Sequence, residues 1–157
     1  MGSAVNPAKE DLLSVLRSVE LFEGLTQEEL EAVSALCQER RHRAGDVITT
    51  QGEMGEELFV VCEGFVEVVL SRSTSDPAPR AMVNLGRGQI FGEMALVDNG
   101  PRSATVRVVT NGTVLQTIRR RDFNALCEGN HHLGYIVMRN MASDLSFKLR
   151  HRHLAGR

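Results

Sequence analysis

Between Arg43 and Thr117 the apolar residues recur with period two, and glycine breaks the pattern at regular intervals. Residues i and i+2 share one face of a strand, so this stretch can bury an apolar face only by pairing its strands and packing them over a core. Six runs carry the pattern: Val47 to Thr50, Leu58 to Val61, Val66 to Leu70, Ala81 to Leu85, Ala104 to Val109 and Thr113 to Ile118. Short strands about 8–12 residues apart imply a sandwich or a barrel. Gly45, Gly52, Gly55 and Gly64 fall between runs, where positive φ in a hairpin is the ordinary reason for a glycine. Ser71 to Pro79 is the one low-complexity patch, and its serine, proline and aspartate content predicts an exposed loop between strands.

Helical periodicity flanks this β region. Asp11 to Arg17 has apolar residues at helical spacing, Leu21 to Leu25 reads as a turn, and Thr26-Gln27-Glu28-Glu29 is a capping box ahead of Leu30, Val33 and Leu36. From Asp122 the helical period returns. Past Gly129 it continues as a stripe of Leu133, Val137, Met141, Leu145 and Leu149, which either pairs with a second copy to form a homodimer or packs on its own barrel.

With 157 residues and 42% hydrophobic content, the chain can build one well-buried core and is too short for two ordinary domains. A net charge of −2, from 18 basic and 20 acidic side chains, exerts no global pull on nucleic acid or an anionic membrane, so anion binding has to come from local geometry. Cys37, Cys62 and Cys127 are odd in number, far apart and without a C-x-x-C pair, which argues for a reducing compartment. The N-terminus lacks the apolar stretch of a signal peptide, and no segment approaches the roughly 18 apolar residues of a membrane span. The expectation is a soluble, cytoplasmic protein.

One segment combines features that neither a strand nor a helix requires. Phe91-Gly92-Glu93-Met94-Ala95-Leu96-Val97-Asp98-Asn99-Gly100-Pro101-Arg102-Ser103-Ala104-Thr105-Val106 places a turn glycine, a carboxylate, small residues and an arginine ahead of a β-branched strand. Backbone N–H groups at the start of a short helical turn and a guanidinium fork can share one phosphate. A carboxylate only accepts hydrogen bonds and suits a ribose hydroxyl. The segment therefore reads as a pocket for a sugar phosphate. Gly92 serves either close approach of a nucleotide or turn geometry alone, since a side chain beside Glu93 would crowd a ligand.

From Leu21 to Leu154 the chain resembles the cyclic nucleotide-binding domain family of catabolite activator proteins, protein kinase A and G regulatory domains and cyclic-nucleotide-gated channels. The resemblance lies in Gly45-Asp46-x-Ile48, Gln51-Gly52-Glu53-x-Gly55-Glu56, Leu58-Phe59-Val60-Val61-x-x-Gly64-x-Val66-Glu67-Val68 and the complete phosphate-binding cassette Phe91 to Val106. It implies a mainly β fold: an eight-stranded antiparallel jelly-roll-like β-barrel with N-terminal helices and a C-terminal helix pair. The implied division is a helical extension over 1–20 and the binding domain over 21–157. In the family's terms Glu93 accepts the ribose 2′-OH, Arg102 pairs with the phosphate, and N–H groups around Met94, Ala95 and Leu96 cradle it next to Gly92. The hydroxyl of Ser103 could donate to phosphate or purine and leaves the base open, with cAMP favoured over cGMP. Tyr135, Met138 and Met141 are candidates for the lid that family members place over the base.

Duller alternatives attach to the same residues. Glu93 and Arg102 could form an internal ion pair in a domain that binds nothing. His131, His132, His151 and His153 cannot share a metal, because residues at those spacings point to different helix faces. They read as a solvated surface, as do Arg119-Arg120-Arg121 and the basic tail from Lys148 to Arg152. With no Ser-His-Asp grouping and no second carboxylate beside the cassette, the reading is binding rather than catalysis, with no cofactor. Ligand binding is expected to reposition the C-terminal helix. The alternatives are the sensor half of a catabolite-activator-type regulator, which would not read DNA by itself, and a ligand-free docking module.

Overall fold

The computed structural model describes residues 7–73 and 76–155, with side chains outside 71–81 and 152–155. Eight strands form two four-stranded antiparallel sheets. In spatial order one holds β1 (Gln38–His42), β8 (Thr113–Arg119), β3 (Glu57–Glu63) and β6 (Ile90–Phe91); the other holds β2 (Val47–Thr49), β7 (Thr105–Val108), β4 (Val66–Ser73) and β5 (Asp76–Leu85). First pairs with last, second with seventh, third with sixth and fourth with fifth, the nested pairing of a jelly roll. The two sheets stay separate rather than closing into one continuous barrel.

β3 shows how the layers are held. Its alternate residues point to opposite faces, and both faces are apolar: Phe59 and Val61 enter a core between the sheets with Val66, Phe91, Val106 and Leu115, while Leu58 and Val60 enter a second core beneath the helices. That second core receives Leu13 and Leu16 of α1 (Pro7–Ser18), Phe22 of a following 3₁₀ turn, Leu30 and Val33 of α2 (Gln27–Ser34), Phe123 of α3 (Arg120–Gly129) and Leu133, Val137 and Met141 of α4 (His131–Ala155). The capping box is present as expected, with Thr26 accepting from the Glu29 N–H and Glu29 accepting from the Thr26 N–H at 2.9 Å.

Two strands and one extension depart from the sequence reading. β1 (QERRH) is polar and without alternation, because it is an edge strand paired only with β8, and β6 is two residues long. The patch expected as a loop is largely paired: β4 and β5 continue through it with Ser71 opposite Pro79 and Ser73 opposite Asp76, and only residues 74–75 of that patch lie outside the described backbone. Pro77 and Pro79 fit because β5 is an edge strand, where a missing N–H costs no ladder bond on its free side.

Candidate functional site

The cassette begins where β6 ends. The Phe91 ring stacks on Phe59 with centroids 4.8 Å apart, and Gly92, at φ +78°, turns the chain into a 3₁₀ turn over Glu93–Leu96. Ala95 and Leu96 bury their side chains and pin the turn, while Met94 points outward. The first internal bond runs from the Ala95 N–H to the Gly92 carbonyl at 3.1 Å. The N–H groups of Glu93 and Met94 therefore precede the turn's internal bonding, as the first donors of any helical turn do. The Ala95 N–H, expected in the phosphate cradle, is used inside the turn.

Arg102 is fixed twice. Its backbone N–H donates to the Glu53 carbonyl at 2.7 Å, and its carbonyl accepts from the Gly52 N–H at 2.9 Å. Its Nη1 donates to the Glu57 carbonyl at 2.9 Å, and the guanidinium lies 5.6 Å from the centre of the Phe59 ring, within cation–π range. Two glycines make the room. A Cβ on Gly55 would collide with the guanidinium, and one on Gly92 would fall 2.6 Å from Nη1 and 2.8 Å from the Glu57 carbonyl. Gly92 thus answers to both turn geometry and close approach, but the close neighbour is Arg102. Gly55, expected to supply positive φ, instead clears space for the arginine; Gly45, Gly52 and Gly64 do have positive φ.

Burial lowers the pKa of Arg102, opposed by the charge of Glu57. Guanidinium has five N–H donors, and among the described residues one has a partner. Glu93 is not that partner. Its nearest cation is Lys148 of α4, with Nζ 3.9 Å from Oε1, so the internal Glu93–Arg102 pair is replaced by two separately held groups of opposite charge. Ser103 is exposed beside them.

The lid candidates differ in burial. Met141 is buried in the helical core, Met138 packs against that core, and Tyr135 is 61% exposed. His132 also departs from a merely solvated role: its Nδ1 lies 2.9 Å from Oε2 of the buried Glu29. A missed element is the inner face of the β4–β5 hairpin. Val66 is fully buried between the sheets, Val68 is half-buried, and Leu70, next along the same face, is 44% exposed; Val83, opposite Val68, is 54% exposed. The β4–β7 register sets Val68 opposite Val106 and Val69 opposite Thr105, so the Leu70 end of this uncovered apolar strip lies toward the start of β7, the end that follows the cassette. Its signal in the sequence was an apolar strand longer than its cover. A cavity of about 540 Å³ between β1, β2, β3 and β8 shares Glu57 and Phe59 with the arginine's cradle, but residues 92–103 do not line it. Among the described residues no helix is long and apolar enough to cross a membrane.

Comparison with known proteins bears on this geometry. A family model described as the cyclic nucleotide-binding domain matches residues 39–130. The chain is 35% identical over 130 residues to the cyclic AMP receptor protein of Thermus thermophilus, covering 83% of this chain and 57% of that protein. It is 40% identical over 91 residues to a cAMP-dependent protein kinase regulatory subunit of Mycosarcoma maydis, covering 58% of this chain and 17% of that one. The crystal structure of the Thermus thermophilus catabolite activator protein superposes with a TM-score of 0.76 at 33% identity, over 87% of this chain and 61% of that chain. In each comparison the chain spans less than two thirds of its relative's length.

Proposed function

The chain belongs to the cyclic nucleotide-binding domain family, and from that premise we propose that it is a sensor for a cyclic purine mononucleotide, cAMP before cGMP, that binds without chemical conversion. The observation that carries the reading is the held but under-used guanidinium of Arg102. A cyclic phosphodiester is a monoanion with no proton to donate, so it needs fixed cationic donors. Arg102 supplies them from a partly desolvated position, aided by the Glu93 and Met94 N–H groups. Glu93 accepts from the ribose 2′-OH, Ser103 is in place to donate, and the purine covers the apolar strip of Val68, Leu70 and Val83. cAMP comes first because the two relatives are named for cyclic AMP or dependence on it.

The output in this reading is a shift of α4, favoured by ligand contacts that differ between two positions of the helix. Because the receptor it matches is longer than this chain, a role as the sensor half of a transcription regulator is the second reading. Calorimetric titration with cAMP and with cGMP tests the proposal: saturable one-site binding of either is expected, and binding of neither overturns it.

A further inference from the structure

Among the described ion pairs and hydrogen bonds, α4 reaches the cassette through Lys148. Its Nζ lies 3.9 Å from Glu93 Oε1 and 3.0 Å from Asp144 Oδ2, one turn back on the same helix. The neighbouring Leu145, Phe147 and Leu149 are all exposed, so no apolar seam docks this part of the helix. Burial works against the ammonium, yet the Asp144 hydrogen bond and the charges of Asp144, Glu93 and Glu20 together hold its pKa above the ordinary lysine range. Lys148 is a full cation shared between a carboxylate of its own helix and a carboxylate of the cassette.

We propose that Lys148 competes with the ligand for Glu93: it holds the carboxylate while the cassette is empty, and a ribose hydroxyl that takes Glu93 frees Lys148 and the distal helix with it. The proposal rests on Glu93 being the ribose reader. Glu93 is three-quarters buried and Lys148 largely exposed, so the contact is a weak surface pair, easily exchanged. That weakness suits a competitor, since a strong pair would keep the ligand out. Asp144 sets the balance, because each bond it makes to the ammonium draws Lys148 away from Glu93.

The competition reverses the sign that simple attraction predicts. If Lys148 merely drew in an anionic nucleotide, removing it would weaken binding and removing Asp144 would strengthen it. Competition requires the opposite. Lys148→Met keeps the aliphatic stem and should tighten cAMP binding about two- to fivefold, while Asp144→Asn should weaken it by a similar factor. The measurement is calorimetry on the full chain at low ionic strength, with hydrogen exchange of residues 142–151 in the absence of nucleotide. Lys148→Met should also speed that exchange, because the helix loses its tie to the cassette. Affinities that move in the opposite directions, or not at all, or exchange that is unchanged in Lys148→Met, overturn the competition while leaving the binding function standing. Binding of neither nucleotide by the parent overturns the binding function and the competition together.

Discussion

The two halves of α4 carry the same sequence pattern and meet opposite fates. Leu133, Val137 and Met141 are at most 4% exposed, whereas Leu145 and Leu149, continuing the same stripe, are 37% and 65% exposed. The difference lies in what each half faces. The proximal half lies against α3 and the 3₁₀ turn, puts its apolar residues into the helical core, and is tied down by polar bonds as well: Asn140 Nδ2 donates to the carbonyls of Leu21 and Glu23, Asn130 accepts from the Leu133 N–H, and His132 meets Glu29. The distal half has passed the edge of that layer and holds on through Lys148. Periodicity makes a stripe, and only a facing surface makes it a core. A helix anchored at one end and weakly tethered at the other is a physical basis for a movable element.

The largest test of this contrast is stability. Leu133→Ala should destabilise the fold by about 2–5 kcal/mol, because a fully buried leucine leaves a cavity in a closed core. Leu149→Ala should change stability by no more than about 0.5 kcal/mol, as at other exposed positions. Urea denaturation of both variants decides the matter, and equal losses would mean that the distal stripe is covered in solution, as it would be in a dimer.

Next in size is the effect of ligand. Arg102→Ala should weaken cyclic nucleotide binding by about 2–4 kcal/mol, since it strands the phosphate in a partly desolvated site. That is roughly 30- to 1,000-fold. In hydrogen exchange the parent should respond to saturating cAMP in the cassette and over residues 142–151, with 131–141 nearly unchanged, and Arg102→Ala should lose both responses. A response along the whole of α4 would erase the distinction between the halves. Glu93→Gln should cost less than Arg102→Ala, because an amide oxygen still accepts from the ribose but forgoes the roughly twofold stronger charged bond. With 2′-deoxy-cAMP the parent should lose affinity and Glu93→Gln should lose less. No discrimination by the parent would make Glu93 a structural residue.

How much of this was legible in the sequence differs by region. The cassette was readable because its chemistry is local: a turn glycine, a carboxylate and an arginine lie within eleven residues, and the structure gathers them with Gly55 and Phe59. The strands with strong alternation were readable for the same reason. β1 was not, because an edge strand with polar residues on both faces has no periodic signature, and neither was the role of Gly55, since its purpose lies in an arginine 47 positions away. The family resemblance points to the final helix for a lid, but neither resemblance nor helical spacing says where a helix leaves its supporting layer. That edge falls after Met141, which puts Met138 and Met141 in or against the core and leaves Lys148 to reach the cassette.

The smallest expected effect concerns the polar anchor of the proximal half. Burial acts to raise the pKa of Glu29, but the Thr26 N–H and the His132 and Asn130 side chains outweigh it, and the net shift is downward. A carboxylate with a lowered folded-state pKa contributes stability that is complete above its ordinary value of 4.5 and is lost as pH falls through the lower folded value. Acid should therefore loosen the α2–α4 junction. Glu29→Gln keeps the capping box, since an amide oxygen still accepts from the Thr26 N–H, but removes the charge that faces His132. It should cost roughly 1 kcal/mol or less near neutral pH and flatten the fall in stability below about pH 4.5. Denaturation midpoints measured from pH 7 to pH 3 on the parent and the variant test this, and an acid limb that Glu29→Gln leaves intact would place the polar anchor of the proximal half somewhere other than Glu29.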